Sequence, residues 1–154
     1  MPICYQLIGV PGSGKSTWIS NQNWISDFVV VSTDDYVEKF ARRMNQTYSE
    51  VFDKVMPRAV RLMVRKVNIA KRQGKDIIWD QTSTTQSSRK KKFRMLPEYD
   101  HIAVVFSTPN MIELQRRLNG REGKNIPAHV VSTMIKNFEM PSESEGFVEI
   151  WYAY

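Results

Sequence analysis

The segment Gly9-Val10-Pro11-Gly12-Ser13-Gly14-Lys15-Ser16, followed by Thr17, decides the fold of this chain. It matches the pattern G-x-x-x-x-G-K-[ST], the Walker A motif or P-loop, without a mismatch. An apolar segment at 3–8 precedes the motif, and a helical pattern follows it. The motif needs this context, because successive backbone N–H groups and a helix N-terminus together form an anion site. The sequence therefore predicts a nucleotide-binding loop.

The residue types in this loop suit a triphosphate and its metal ion. Glycines at 12 and 14 allow the backbone to curl around the β-phosphate, Lys15 supplies a point charge to the β- and γ-phosphates, and Ser16 offers a hydroxyl to Mg²⁺. We therefore predict ATP and Mg²⁺ as cofactors. The predicted ATP contacts in the loop are Gly9, Pro11, Gly12, Ser13, Gly14, Lys15, Ser16 and Thr17.

Short apolar segments alternate with longer amphipathic ones along the chain. Strands are predicted at 3–8, 28–32, 76–79 and 101–107, and a last edge strand is expected within 146–154. Helices are predicted at 15–22, 35–43, 49–73, 86–96, 111–118 and 128–138. Nearly continuous apolar strands are typical of a parallel sheet covered on both faces. The pattern predicts a three-layer α/β domain with right-handed crossovers.

Carboxylates follow two of the predicted strands. Because the carboxyl ends of parallel strands meet beside the phosphate loop, both are expected at the ligand edge of the sheet. Asp34 follows the second strand and is our candidate for the general base that takes a proton from an acceptor hydroxyl. Asp35 is expected to cap the next helix or lie in its first turn. Asp80 ends the strand at 76–79, where it could act on the Mg²⁺ hydration shell or position the acceptor, or serve only as a turn residue.

Arginines cluster where a mobile lid is expected. The segment 119–127 holds two glycines and three charged residues between two helical patterns. Arg117 and Arg121 are the predicted lid arginines, which would neutralise charge on the transferring phosphoryl group and contact ATP. The alternative is a solvated helix end. No linker divides the chain, so 1–154 is expected to be one domain with a lid at about 117–128.

Charge favours polyanionic partners. The 154 residues carry a net charge of +6 and a pI near 9.5. A run at 89–92 is basic throughout, with Arg94 close by, and a second basic stripe is expected on the helix at 49–73, opposite its apolar residues. Each could contact a phosphate backbone or merely be solvated. The stripe consists of Lys54, Arg58, Arg61, Arg65 and Arg72, and the opposite residues are Val55, Ala59, Leu62 and Ile69.

Cysteine content and hydropathy favour a soluble cytoplasmic protein. Cys4 is the single cysteine and lies in an apolar segment, where a buried thiol is expected. The first residues lack the basic start and cleavage site of a signal peptide, and no apolar run approaches the length of a membrane span.

In this order, the motifs resemble the kinase domain of the polynucleotide 5′-hydroxyl kinase family. The resemblance starts at the phosphate loop and continues through Thr33-Asp34-Asp35-Tyr36 and the segment 73–82. It then covers Glu113, the lid arginines, Ile126-Pro127, the segment 138–141 and the segment 145–147, and so extends over nearly the whole chain. The fold it implies is a P-loop NTPase fold similar to that of adenylate kinase, with a small arginine-bearing lid.

The resemblance also implies roles for matching residues. Lys15 and Ser16 would form the phosphate and Mg²⁺ site, Asp34 would be the base on the acceptor hydroxyl, and Asp80 would lie near the acceptor. Arg117 and Arg121 would lie over the triphosphate. Two positions depart from the family pattern, because Thr33 and Val37 stand where members carry arginines near the acceptor.

The acceptor is left open by these departures. The sequence favours transfer to the 5′-hydroxyl of a nucleic acid, and we expect DNA rather than RNA as this acceptor. The nearest alternative is the hydroxymethyl group of 5-hydroxymethyluracil in DNA, which kinases similar to this family phosphorylate. Further alternatives are a sugar or nucleoside kinase and an ATP-binding module without kinase activity.

Overall fold

A computed structural model describes residues 1–23 and 27–154. Strands alternate with helices along the described chain. The strands are β1 (Ile3–Ile8), β2 (Phe28–Val31), β3 (Asp76–Trp79), β4 (Asp100–Val105) and β5 (Phe147–Tyr152). The helices are α1 (Lys15–Ser20), α2 (Thr33–Met44), α3 (Tyr48–Arg72), α4 (Gln86–Met95), α5 (Met111–Asn119), α6 (Ala128–Lys136) and a short 3₁₀ helix (Glu143–Glu145).

The five strands form one parallel sheet in the order β2-β3-β1-β4-β5. Alternate residues of a strand point to opposite faces, and both faces are apolar here. Cys4 and Ile77 pack on one face against α3, whereas Tyr5 and Ile78 pack on the other near Trp18 of α1. This arrangement confirms the predicted three-layer P-loop fold, and β5 confirms the expected edge strand.

Helix α2 begins two residues earlier than the sequence predicted. Its N-cap is Ser32, whose backbone is extended, and the helix starts at Thr33. Asp34 and Asp35 consequently both lie in the first turn, where carboxylates interact favourably with the helix dipole. The early start matters for the site, because it places Asp34 on a helix rather than on a loop.

The basic run at 89–92 is neither a solvated face nor a phosphate-binding surface as a whole. The Arg89 side chain is fully buried, where its Nε and Nη2 donate to Glu145 at 2.8 and 3.2 Å and its Nη1 donates to the carbonyl of Ser83 at 2.9 Å. Lys92 is also buried and lies over the ring of Trp79. Burial lowers the pKa of Lys92 to about 8. Only Lys90 and Lys91 of this run are exposed.

The long helix α3 buries a slightly different face from the predicted one. Val55 and Ala59 are buried as expected, but Leu62 is only half-buried and Ile69 is exposed. Its other buried residues are Val51, Met63, Val67 and Ala70. The five predicted basic positions of α3 are all exposed, so the stripe exists on the surface. In the described chain, no helix has the length and apolarity needed to span a membrane.

Candidate active site

The phosphate loop lies between β1 and α1, at the carboxyl edge of the sheet. Gly12 and Gly14 have φ of 81° and 104°, which favours glycine at both positions. A Cβ on Gly9 would approach Ser13 Oγ to 2.4 Å and Phe106 Cβ to 3.0 Å, so the loop packs closely there. The Lys15 ammonium donates to the carbonyls of Gly9 and Val10 at 2.8 and 2.9 Å. The loop therefore holds its lysine beside its own backbone.

The loop's polar groups fit a bound triphosphate. The Ser13 hydroxyl is buried and has no hydrogen-bond partner within the described residues. Burial lowers the pKa of Lys15 to about 8, and the Asp80 carboxylate partly offsets this shift. Because an anion would compensate both groups, this local chemistry is what a phosphate site requires. Ser16, placed by the sequence as the Mg²⁺ ligand, is exposed on the same cleft.

Asp34 lines the same cleft as the loop, and both its carboxylate oxygens accept hydrogen bonds. The Tyr48 hydroxyl donates to Oδ1 at 2.6 Å, and the Lys124 ammonium donates to Oδ2 at 2.9 Å. Lys124 also lies 3.8 Å from Glu38 Oε1 and 4.4 Å from the centre of the Tyr48 ring. One residue from the start of α3 and one from the lid thus fix the orientation of the proposed base.

These partners also set the charge of Asp34. Burial alone would raise its pKa, but the hydrogen bond from Tyr48 and the charge of Lys124 outweigh burial, so the pKa lies below its usual value. A carboxylate with a low pKa is a weak proton acceptor in the ground state. Asp34 is therefore ionised near neutral pH and suited to orienting a hydroxyl, taking its proton only as the oxygen loses electron density to phosphorus.

Asp80 follows β3 and lines the same cleft. Burial raises its pKa, while the charge of Lys15 opposes that shift. Its backbone N–H donates to the Val31 carbonyl at 2.8 Å, which anchors this strand end to β2. Among the described residues, no group of three or more His, Cys, Asp or Glu is arranged to hold a metal ion. Mg²⁺ at Ser16 and Asp80 would therefore share its coordination with phosphate oxygens and water.

The segment 117–128, which the sequence predicts to be a lid, contacts both sides of the cleft. The Arg117 guanidinium donates to the Gly12 carbonyl at 2.8 Å and to Glu113 at 2.9 Å. On the other side, the backbone N–H of Ser49 donates to the Gly123 carbonyl, and the backbone N–H of Asn125 donates to Ser49 Oγ. This segment is therefore hydrogen-bonded both to the phosphate loop and to the start of α3, and its function as a lid stays a prediction.

The second lid arginine, Arg121, lines the cleft near the functional groups already described. Its charge acts on both Lys15 and Asp34. The structure thus brings every predicted catalytic residue to one cleft of about 1580 Å³. Those residues are Lys15, Asp34, Asp80, Arg117 and Arg121. Their individual roles stay predictions.

The two positions that depart from the family pattern are both buried. Val37 is fully buried in the apolar contact between α2 and α3. Thr33 is buried too, and its hydroxyl accepts from the Gln81 amide at 3.4 Å. Thr33 nevertheless contributes to the lining of the cleft, whereas Val37 lies beneath it.

Sequence reasoning missed Tyr48 and Lys124. Thr47 and Glu50 form a reciprocal capping box, and that T-x-x-E signature marks the start of α3 at Tyr48, one residue before the predicted start. No comparable signal exists for Lys124, which was only one of several charges in the lid segment. Its role depends on a contact spanning 90 residues of sequence.

Comparison with solved structures supports the architecture. A chain described as a candidate kinase from Chloroflexus aurantiacus aligns with a TM-score of 0.71 and 15% identity, covering 99% of this chain and 84% of that one. A chain of the Pnkp1/Rnl/Hen1 RNA repair complex aligns with a TM-score of 0.67 and 24% identity, covering 88% and 43%. A gluconokinase from Sinorhizobium meliloti aligns with a TM-score of 0.52 and 18% identity, covering 98% and 81%. At these identities the likeness concerns the fold.

Curated relatives are much longer proteins. The mouse heterogeneous nuclear ribonucleoprotein U-like protein 2 is 24% identical over 155 aligned positions, covering 95% of this chain and 21% of the relative. The Arabidopsis thaliana transcription factor bHLH140 is 25% identical, covering 96% of this chain and 15% of the relative. The chain spans about a fifth of the length of the first of these relatives. A family model described as an AAA domain, AAA_33, matches residues 5–141, so this chain belongs to that P-loop family and has a kinase-like fold.

Proposed function

We propose that this protein transfers the γ-phosphoryl group of ATP to a hydroxyl of a nucleic acid, most simply the 5′-hydroxyl end of a DNA strand. The observation that carries the proposal is the position of Asp34. Its carboxylate lines the same cleft as Lys15 of the phosphate loop and is held by Tyr48 and Lys124. A protein that only binds ATP needs no such carboxylate facing its phosphate loop.

The reaction follows from this placement. The acceptor oxygen forms a bond to the γ-phosphorus, the bond from phosphorus to the β,γ-bridging oxygen breaks, and the hydroxyl proton passes to Asp34. Lys15, Arg117 and Arg121 offset the negative charge of the transferring group. Bound Mg²⁺ supplies further charge neutralisation of the phosphates. The chain's own residues thus supply positioning and electrostatics, which is most of what this chemistry requires.

Charge, motif resemblance and fold similarity support a nucleic acid as the acceptor. The chain has a net charge of +6, and the basic stripe of α3 is exposed. The motif series resembles polynucleotide 5′-hydroxyl kinases, and a chain of an RNA repair complex shares the fold. Contacts to a phosphate backbone would make the activity fall steeply with salt concentration.

An acceptor screen tests the proposal. Radiolabelled ATP is incubated with the protein, Mg²⁺ and DNA that carries a 5′-hydroxyl end, a 5′-phosphate end or an internal 5-hydroxymethyluracil. We expect label on the first DNA and little on the second. Label on the third alone would establish the base hydroxymethyl group as the acceptor, and label on none would contradict a DNA acceptor.

A small-molecule acceptor is the second candidate. Within the described residues, α2 and α3 contribute no basic side chain to the cleft, and this favours a small acceptor without a phosphate backbone. A sugar or nucleoside kinase would show activity that is insensitive to salt. A non-kinase ATP-binding module would hydrolyse ATP slowly and label no acceptor at all.

A further inference from the structure

One wall of the cleft carries an aromatic pair beside the proposed base. Helix α3 presents Tyr48, Phe52 and Met56 to the cleft at intervals of four residues, so these side chains share one helical face. The Tyr48 and Phe52 rings lie 5.5 Å apart at an angle of 48°. Because the Tyr48 hydroxyl donates a hydrogen bond to Asp34, one end of this aromatic face contacts the carboxylate. An acceptor hydroxyl at Asp34 would therefore lie beside this face.

Phe52 is the accessible member of this pair. It is 36% exposed, whereas Tyr48 and Met56 pack partly into the apolar contact between α2 and α3. A phenylalanine that lies open in a polar cleft offers a flat apolar surface to a ligand. Base stacking on such side chains is sequence-tolerant, since every nucleobase has a π-face.

The charges on this wall disfavour a phosphodiester. Helices α2 and α3 contribute four carboxylates to the cleft and, among the described residues, no basic side chain. The four are Asp34, Asp35, Glu38 and Asp53. Lys124 faces them from the lid but is already paired with Asp34 and close to Glu38. Because like charges repel, these carboxylates would oppose the binding of an anionic phosphodiester beside them.

From this combination of an open aromatic ring and surrounding carboxylates, we propose that the Tyr48–Phe52 face is a binding site for the uncharged base of the nucleotide whose hydroxyl is phosphorylated. The inference rests on the proposed function and narrows its substrate class to nucleoside-type acceptors. The base stacks on Phe52 while the phosphodiester backbone leaves the cleft.

The test uses two oligonucleotides with 5′-hydroxyl ends. One carries the fluorescent base 2-aminopurine on its terminal nucleotide, and the other carries an abasic tetrahydrofuran residue there. We expect the KM of the wild-type protein for the abasic strand to be at least about tenfold higher. Phe52→Ala removes this preference and leaves the KM for ATP unchanged, whereas Phe52→Trp retains the preference. Val60→Ala is the matched control, because Val60 is an exposed apolar residue of α3 outside the cleft lining.

Binding is followed separately by 2-aminopurine fluorescence, which stacking quenches without any transfer step. Equal KM values for the two strands, or a base preference that survives Phe52→Ala, would overturn the base site while leaving the proposed kinase function intact. Quenching that depends on Phe52 without transfer to the 5′-hydroxyl would support the base site and contradict the 5′-hydroxyl activity. Neither quenching nor transfer would contradict both.

Discussion

The two ends of the cleft are built in opposite ways. At the phosphate end, Lys15 contacts carbonyls only five and six residues away, so nine contiguous residues define the site. At the acceptor end, Asp34 contacts Tyr48 and Lys124, which are 14 and 90 residues away. The first end is cationic and the second is lined by carboxylates. The site for the phosphate donor can therefore be recognised from a local sequence motif. The acceptor site, in contrast, is formed by contacts between residues far apart in the sequence.

The largest effect is expected from breaking the phosphate end. Lys15→Met should reduce phosphoryl transfer about 10²–10³-fold or more and weaken ATP binding, because it removes a charge aimed at the transferring group. Transfer rates and ATP affinity would be measured side by side. Lys39→Met is the control, since Lys39 is exposed on α2 outside the cleft. A Lys15→Met protein that keeps more than a tenth of the activity would contradict the assignment.

The second prediction concerns the stability of the fold outside the cleft, at the buried ion pair between Arg89 and Glu145. Glu145→Gln should lower the free energy of unfolding by about 3 kcal/mol or more, because it leaves the fully buried Arg89 guanidinium without its counter-charge. Urea denaturation measures this change, and Glu143→Gln in the same turn should be nearly neutral because Glu143 is exposed. A loss below about 1 kcal/mol would show that Arg89 finds other compensation.

The dependence of kcat/KM for ATP on pH is expected to follow the protonation of Lys15. Burial lowers its pKa to about 8, so the charged form that binds phosphate is lost as the pH rises through that value. Between pH 7 and pH 9 the protonated fraction falls about tenfold, and kcat/KM for ATP should fall with it. Lys15→Arg should flatten this alkaline limb at a lower overall activity, because arginine stays charged. A flat wild-type profile over this range would contradict the prediction.

The acceptor end should respond more weakly to a single change. Tyr48→Phe removes the hydroxyl that donates to Asp34 but leaves Lys124 on the other oxygen. We expect kcat to fall about fivefold, which is less than the full effect of a hydrogen bond to a charged group. The KM for ATP should not change. Tyr152→Phe, on an exposed residue, is the control. An unchanged or raised kcat would show that Tyr48 does not orient the carboxylate.

Much of the fold could be predicted because its signals are local. Buried parallel strands are continuously apolar, and the P-loop specifies the turn from β1 to α1 through glycines with positive φ. All five predicted strands and six predicted helices exist, with ends shifted by one or two residues in most cases. Helix ends are the least well-determined part of such patterns.

The errors in predicted side-chain burial share one physical cause, which is packing against distant parts of the chain. Arg89 and Lys92 belong to a basic run, yet Glu145 and Trp79 from distant segments bury them. Ile69 belongs to an apolar helical pattern, yet it is exposed because the packing face of α3 runs through Met63, Val67 and Ala70 instead. Sequence spacing indicates which residues share a face of a helix, but the partners that cover the face come from elsewhere in the chain.

The central claim is that the carboxylate of Asp34 acts on an acceptor hydroxyl opposite the phosphate loop. Its most direct test compares wild-type protein with Asp34→Asn for transfer of label from ATP to a 5′-hydroxyl oligonucleotide, with ATP affinity measured in the same preparations. We expect transfer to fall about 10²–10⁴-fold while ATP affinity changes less than about threefold. An Asp34→Asn protein that labels the strand at the wild-type rate would contradict the account.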